Sequence, residues 1–507
     1  MKDKFYVTTP LYYVNDRPHL GHAYTQIAAD VLARFWRQAG AHVFFLTGTD
    51  EHGQKIERAA QQNSIPPQQF VDQQYRKFTE LWKRLNISND DFLRTSEKRH
   101  IGTVEKFLNL LYEQGDIYKA KYKGWYCVHC ESYVPGKADA TDIVCPDCGR
   151  KPEWTQEDGY FFRLSNYQSK LLEYYTENED FVLPEFRFNE VKSFVQSGLR
   201  DLCISRRGFR WGIRLPFDDS FVCYVWVDAL LNYVSAVGWD AGDERFKALW
   251  PCDVHLVGKD ILKFHAVIWP AMLIAAGIEP PRRVFAHGWW VISGEKISKS
   301  VGNVVEPSDI IEKFGADALR YFLLRETTFG KDGEFSRDAF VGRYNADLAN
   351  DLGNLVSRTL TMVQNYCGAR VPEAGMLTDI ERKIMSDVDN LWHVIVPHYE
   401  REELTDILLL LMELVSRLNQ YVESQSPWVL AKQKSDRLDT VLYATLEALR
   451  IIAIYLYPFM PGSMEELLSR LGVSSIKDCK LPASIKWGGL KSGTAIVRGE
   501  SLFPRIK

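Results

Sequence analysis

This 507-residue chain lacks an apolar run long enough to cross a bilayer. The longest stretch, near Ile407–Val415, falls well short of the ~20 residues a membrane helix needs. It shows no signal or transit segment: Met1–Phe5 leads straight into strand-like sequence. It has no excess of positive charge, with 62 Lys and Arg against 66 Asp and Glu, a net charge of −4. Any nucleic-acid binding must therefore come from local basic patches rather than from the overall field. One such patch is Ser205–Arg214, SRRGFRWGIR, four arginines among aromatics. Internal repeats and low-complexity segments are absent. Cysteine is sparse and odd in number, nine, and without a secretory signal it implies a reducing cytoplasm and a metal site rather than disulfides.

The length suggests about three domains. Phe5–Thr9, FYVTT, is β-branched and aromatic and reads as a strand. After a loop with two prolines, apolar positions Tyr24, Ile27, Ala28, Val31, Leu32 and Phe35 keep a helical period that Gly40 stops. His42–Asp50 reads as a second strand. Strand, loop, helix, strand opens a parallel α/β sheet, in which ligands bind at the carboxyl ends of strands. His19-Leu20-Gly21-His22 lies at the first such end, at a helix N-terminus, where free N–H groups and the dipole favour an anion. Gly21 permits close approach, and two imidazoles one turn apart can donate to phosphate oxygens. Taken alone, the pair reads more simply as cap and packing.

A second stretch, Gly294–Asn303, GEKISKSVGN, follows the strand-like RVFAHGWWVI. Glycines flank Lys296, Ser298, Lys299 and Ser300, so the loop can swing and its lysines can neutralise a polyphosphate. A solvated surface turn is the plainer reading of such a run by itself. Together, the two stretches resemble the His-Ile-Gly-His and Lys-Met-Ser-Lys-Ser signatures of class I aminoacyl-tRNA synthetases, with conservative apolar changes at Leu20 and Ile297.

Cys127, Cys130, Cys145 and Cys148 form two C-x-x-C knuckles separated by fourteen residues. Two such knuckles complete a tetrahedron around Zn²⁺, and four thiolates close the coordination sphere, which makes the site structural. The element interrupts the α/β pattern and belongs to an insertion. A free-standing nucleic-acid-binding zinc ribbon is the rival that the surrounding sheet disfavours.

Polar or aromatic residues mark the ends of other segments: Tyr13, Asp50, and Asp260 in a Gly-Lys-Asp turn, then Trp226, Asp228 and Tyr233, with Ile261 and His265 one turn apart. An aromatic pocket with one carboxylate suits an apolar amino acid, although single aromatics are more often core. The runs VTTPLYYVNDRPHLGHAYTQIAADVLARF, TGTDEHG, YVWVDALLNY, VGKDILKFHAVIWPAML and HGWWVISGEKISKS resemble the methionyl-tRNA synthetase family over nearly the whole chain. That resemblance implies a methionine site at Leu11, Tyr13, Asp50, Trp226, Tyr233, Ile261 and His265, with Asp50 on the substrate ammonium. It implies ATP contacts at His19, Gly21, His22, Asp260, Lys296 and Lys299, the histidines and lysines being catalytic, with Mg²⁺ accompanying ATP, and an anticodon site at Asn354, Arg358 and Trp428. Two features favour methionine independently. The segment between the signatures leaves no room for a large editing domain, which one-methylene sieving would require. The closed cysteine set also lacks the open zinc position that a cysteine substrate would use.

The expected architecture is a parallel Rossmann-type α/β catalytic domain with a zinc-containing insertion, followed by an all-α helical bundle. The divisions are 1–114 and 223–343 for the catalytic halves, 115–222 for the insertion with its knuckle at 127–148, and 344–507 for the bundle. The expected activity is ATP-dependent attachment of L-methionine to initiator and elongator methionine tRNAs through an adenylate, releasing diphosphate and AMP, by a cytoplasmic protein with one structural zinc and no membrane association. Ending at Lys507, without the dimerising tRNA-binding domain of many bacterial relatives, the chain is expected to be a monomer. A class I synthetase for another apolar amino acid and a non-catalytic tRNA-binding relative are the alternatives.

Overall fold

The computed structural model describes residues 2–506 apart from 16, 128–131, 135, 137–141, 147–148, 243, 293–294 and 297–305. Seven strands build the central sheet: β1 (Lys4–Thr8), β2 (Tyr12–Tyr13), β3 (His42–Asp50), β4 (Asp91–Arg94), β5 (Val182–Leu183), β6 (Val254–Gly258) and β7 (Val284–His287). Their order is β2-β3-β1-β6-β7-β5, with β4 also on β3, and every pairing is parallel. Parallel strands are covered on both faces and therefore read as apolar runs. In β6, Val254, Leu256 and Val257 are fully buried, as are Val7 of β1 and Phe45 and Leu46 of β3.

The helix between β1 and β3, α1 (Leu20–Gln38), is buried along almost its whole length because the helical bundle covers the side that the sheet does not. Phe35 of α1 stacks on Tyr399 of the bundle with ring centroids 3.5 Å apart. Asp30 of α1 meets Arg34 and the fully buried Arg320, each at 2.7 Å. Arg320 also donates to the carbonyls of Leu85, Pro458 and Phe459. Breaking such a buried pair by removing one partner costs about 3–5 kcal/mol. The helix that begins at His19 is thus fixed to the bundle by charge as well as by apolar packing.

The segment 115–222 carries a four-stranded antiparallel sheet, with Ile117–Cys127 and Glu153–Phe162 at its centre. A smaller sheet of Ser205–Arg206, Asp218–Cys223 and Arg214–Leu215 lies beyond it. The segment is not wholly an insertion, since β5 within it is the edge strand of the central sheet. A two-residue Val-Leu strand has no periodicity by which to be read from sequence. From Arg337 to Arg470 the structure is mainly helical, with long helices Asn354–Tyr366, Asp379–Glu400, Leu404–Gln425 and Arg437–Leu456, and the residues after Arg470 are mostly loop. The chain then folds back: Asn345 exchanges two hydrogen bonds, each of 2.9 Å, with the backbone of Ile506.

Candidate active site

His19 is the N-cap of α1. Its Nδ1 accepts from the Gly21 N–H at 3.1 Å, and its own N–H donates to Nδ1 of His22 at 3.1 Å. The two imidazoles thus build a reciprocal capping box from residues that rarely serve as caps. They stack with centroids 3.8 Å apart. Because each Nδ1 accepts from backbone, each neutral ring carries its proton on Nε2 and presents a donor there. A Cβ on Gly21 would stand 3.0 Å from Cε1 of His19. Gly21 therefore makes room first for the His19 ring, a role that the sequence alone did not reveal.

The next turn of α1 is tied to the end of β7. Thr25 meets Nε2 of His287 at 2.6 Å, and His287 Nδ1 donates to the Gly288 carbonyl at 2.8 Å. Burial holds the His287 ring below its ordinary pKa, so it stays neutral. Gly288 lets the chain pass the backbone of Lys331 and Asp332: a Cβ there would lie 2.3 Å from the Lys331 carbonyl carbon. Trp289 donates from Nε1 to Asp260 at 3.1 Å and from its backbone to Asp332 at 2.8 Å, while Lys259 pairs with Asp332 at 2.6 Å. Burial opposes ionisation of Asp332, yet its bonds with Lys259 and Trp289 hold its carboxyl below the usual range. These residues fix the base of the segment that leads to the lysine run. Lys296 lies on the short strand Glu295–Lys296, opposite Val291. Lys299 lies outside the described residues.

At the other side of the sheet's carboxyl edge, Tyr13 of β2 is the register partner of Asp50, the last residue of β3, and Asp50 is buried. Leu11, Tyr13, Trp226, Tyr233, Ile261 and Phe264 share one apolar cluster. Trp226 stacks on Phe264 with centroids 4.0 Å apart. Phe264 was missed from sequence, although it adjoins His265. Tyr233 donates to His265 Nε2 at 2.7 Å, and His265 Nδ1 donates to the Ile261 carbonyl at 3.0 Å. Tyr233 also stacks on His255 at 4.0 Å. Burial pushes His265 down to about 4 and His255 well below its ordinary value, so both rings are neutral near pH 7.

Sequence reasoning also missed how these parts are joined. Asp228, two residues after Trp226, meets His52 Nδ1 at 2.7 Å and His100 Nε2 at 2.8 Å. Burial opposes its ionisation, but the two imidazoles hold the carboxyl below its ordinary pKa. His52 lies two residues after Asp50, so one buried carboxylate couples the Asp50 loop to the Trp226 helix. Trp211 packs edge-on against His52 and donates from Nε1 to the Glu51 carbonyl at 2.5 Å.

Two further sites stand apart. Cys127, at the end of its strand, and Cys145 are both buried in one small cluster with Val134. The Cys145 turn is closed by hydrogen bonds to the Arg150 carbonyl and from Gly149 N–H, both 2.8 Å. That arrangement fits a two-knuckle site, whose other members, Cys130 and Cys148, lie outside the described residues. In the bundle, Asn354 is exposed and Arg358 follows one turn later. The Arg358 guanidinium lies 5.3 Å from the Trp428 ring centre. Arg358 and Trp428 border an open cavity of 310 Å³ with Ser357, Thr361 and Met362.

Residues 5–151 and 138–360 match the family described as tRNA synthetases class I (M), and residues 371–507 match the anticodon binding domain of methionyl tRNA ligase. The methionine–tRNA ligase of Caldanaerobacter subterraneus is 49% identical, the alignment covering 100% of this chain and 79% of that protein. That of Rickettsia conorii is 45% identical with 100% of both chains covered. A structure of Mycobacterium tuberculosis methionyl-tRNA synthetase in complex with methionyl-adenylate matches with a TM-score of 0.95 at 42% identity, over 100% of both chains.

Proposed function

The chain belongs to the methionine–tRNA ligases of class I, and from that premise we propose which of its residues perform the reaction. The enzyme attaches L-methionine to methionine tRNA at the expense of ATP. The methionine carboxylate attacks the α-phosphorus of ATP, forming methionyl-adenylate and releasing diphosphate. The 3′-terminal ribose hydroxyl of the tRNA then takes the acyl group and releases AMP. No side chain need act as nucleophile, so catalysis rests on positioning and on stabilising charge that develops on phosphate.

His19 and His22 donate from Nε2 to ATP phosphates at the α1 N-terminus, with Gly21 between them. Asp260 contacts the nucleoside, and Lys296 and Lys299 close over the diphosphate end. Mg²⁺ enters with ATP as part of the substrate. Asp50 takes the methionine ammonium, and Leu11, Tyr13, Trp226, Tyr233, Ile261 and His265 enclose the thioether. A thioether is unbranched and polarizable and suits aromatic walls. Cys127, Cys130, Cys145 and Cys148 hold one zinc, which ties the two knuckles together. Asn354, Arg358 and Trp428 read the anticodon, Trp428 by stacking on an unpaired base. The divisions at 1–114, 115–222, 223–343 and 344–507 describe the working parts, with β5 returned to the catalytic sheet. ATP and tRNA as substrates put the work in the cytoplasm and away from membranes. The working unit in this reading is a monomer, which sedimentation velocity checks.

The observation that carries the residue assignment is the pairing of Tyr13 with Asp50 at one strand end while His19 and His22 form the reciprocal capping box of α1 at another. Single-turnover adenylate formation separates the two roles. Lys299→Ala should slow the chemical step by ~10²–10³ and leave methionine affinity near native. Asp50→Asn should instead weaken methionine binding. Native adenylate rates in Lys299→Ala would remove the lysine run from the site.

A further inference from the structure

Asp50 ends β3, and the two residues that follow it carry buried ionisable side chains. Glu51 is fully buried and His52 is 5% exposed. Such groups are rarely buried unless paired, and both are paired. Glu51 accepts from Arg94 Nε at 2.7 Å and from the Thr49 hydroxyl at 2.8 Å, and its backbone N–H donates to the Thr95 hydroxyl at 2.9 Å. Thr49 lies in β3, Arg94 ends β4 and Thr95 follows it. Glu51 is therefore held by the sheet to which Asp50 itself belongs.

His52 is held from elsewhere. Its Nδ1 donates to one oxygen of Asp228 at 2.7 Å, and His100 Nε2 donates to the other at 2.8 Å. Asp228 is 1% exposed and sits on the helix Val225–Leu230, which also carries Trp226. His100 belongs to the helix Lys98–Glu113, and its Nδ1 meets the Ser235 hydroxyl at 2.9 Å. Each oxygen of this carboxylate is thus committed to an imidazole, and three segments meet at one buried charge. A loop held at both Glu51 and His52 loses its freedom on folding rather than on binding a ligand, which favours affinity. The two anchors differ in what they set. Glu51 fixes Asp50 to the sheet, whereas Asp228 fixes the Asp50 loop against the helix of Trp226. An amino acid gripped at its ammonium and along its side chain needs those two places held in register.

We propose that Asp228, acting through His52, is a positioning residue for the methionine ammonium: it orients the Asp50 carboxylate against the Trp226 wall without touching the substrate itself. The inference rests on the reading of Asp50 as the ammonium anchor and deepens it.

The test uses the full-length enzyme and two competitive inhibitors of methionine-dependent pyrophosphate exchange. Methioninol keeps the ammonium and the thioether, and deaminomethioninol keeps the thioether chain alone. The ratio of their inhibition constants isolates the ammonium contact, because a general loss of pocket shape weakens both. Asp228→Asn keeps the shape but sets an amide N–H against an imidazole N–H. It should raise the inhibition constant of methioninol roughly 10- to 100-fold, the effect of one misplaced charge-assisted contact. The constant for deaminomethioninol and the KM for ATP should stay near native. His52→Ala should give the same change in ratio. His52→Asn, whose side-chain N–H stands where Nδ1 stood, should restore most of the native ratio, and this pair of variants carries the test if Asp228→Asn does not fold. Equal rises for both inhibitors would mark a structural role and overturn the proposal, as would a His52→Asn enzyme that behaves like His52→Ala. Asp50→Asn reads the parent assignment separately and should remove most of the preference for methioninol. A native ratio in Asp50→Asn would withdraw the anchor and this inference with it. A changed ratio in Asp50→Asn beside native ratios in Asp228→Asn and His52→Ala would leave the anchor standing and overturn the positioning role.

Discussion

The phenol of Tyr233 donates to Nε2 of His265 at 2.7 Å, and both side chains are buried beneath the carboxyl edge of the sheet. With Nδ1 donating to the Ile261 carbonyl, the ring is used completely in its neutral form. A second proton, on Nε2, would remove the acceptor of the Tyr233 hydroxyl, and both side chains are buried.

The consequence is a pH dependence of stability with a definite sign. Burial lowers His265 to about 4 from 6.5, so between those values the unfolded chain binds more protons. Its contribution is complete above pH 6.5 and is lost as pH falls toward 4. At pH 4.5 the loss is roughly 2–3 kcal/mol. Glu402 acts oppositely in part of this window, because burial raises its carboxyl to about 7 despite Arg283. The two are separated by comparing native protein with His265→Asn, in which the Glu402 contribution cancels. The gap between their melting temperatures should shrink between pH 7 and pH 4.5. A gap that stays constant would contradict a neutral buried His265.

Much of the fold is legible in the sequence where apolar periodicity is long. The strand His42–Asp50 and the helix after His19 emerge with the bounds that their patterns indicate, whereas the helix that leads into the C-terminal bundle begins at Arg337 and runs unbroken through Tyr344. The pairs that join distant segments left no such mark. His52, His100 and Asp228 are 176 and 128 residues apart in their two contacts, and nothing periodic relates them. The same holds for Asp30 with Arg320. Asp228 stood out as a carboxylate among aromatics, but its partners did not. The run at 205–214 was visible as charge, whereas the burial of Arg206 and the exposure of its neighbours depend on the strand register Arg206↔Val222.

Zinc is the next expectation. The burial of Cys127 with Cys145 and the closed turn at Cys145–Arg150 lead to one zinc per chain by elemental analysis. Cys145→Ser should lose it and loosen the insertion, since structural zinc contributes folding energy directly. Native protein free of zinc would refute the assignment.

Trp428 separates the two ends of the enzyme. It lies beside Arg358 in the bundle, and its helix Pro427–Gln433 packs on other bundle helices. A base stacked on an aromatic is worth about 1–3 kcal/mol, so Trp428→Ala should weaken charging of methionine tRNA roughly 5- to 150-fold. Pyrophosphate exchange without tRNA should stay nearly native. Unchanged charging, or equal loss of both activities with a large drop in melting temperature, would mark Trp428 as a packing residue.

The most direct measurement is amino-acid-dependent pyrophosphate exchange by the unmodified protein, run with methionine, leucine, isoleucine and cysteine. Asp50, Tyr13, Trp226, Tyr233 and His265 as the pocket predict exchange with methionine, and with each of the others a kcat/KM lower by about 10–200-fold or more, the discrimination that apolar shape alone supplies. Exchange with none of the four, or faster exchange with any of the others than with methionine, would contradict the account.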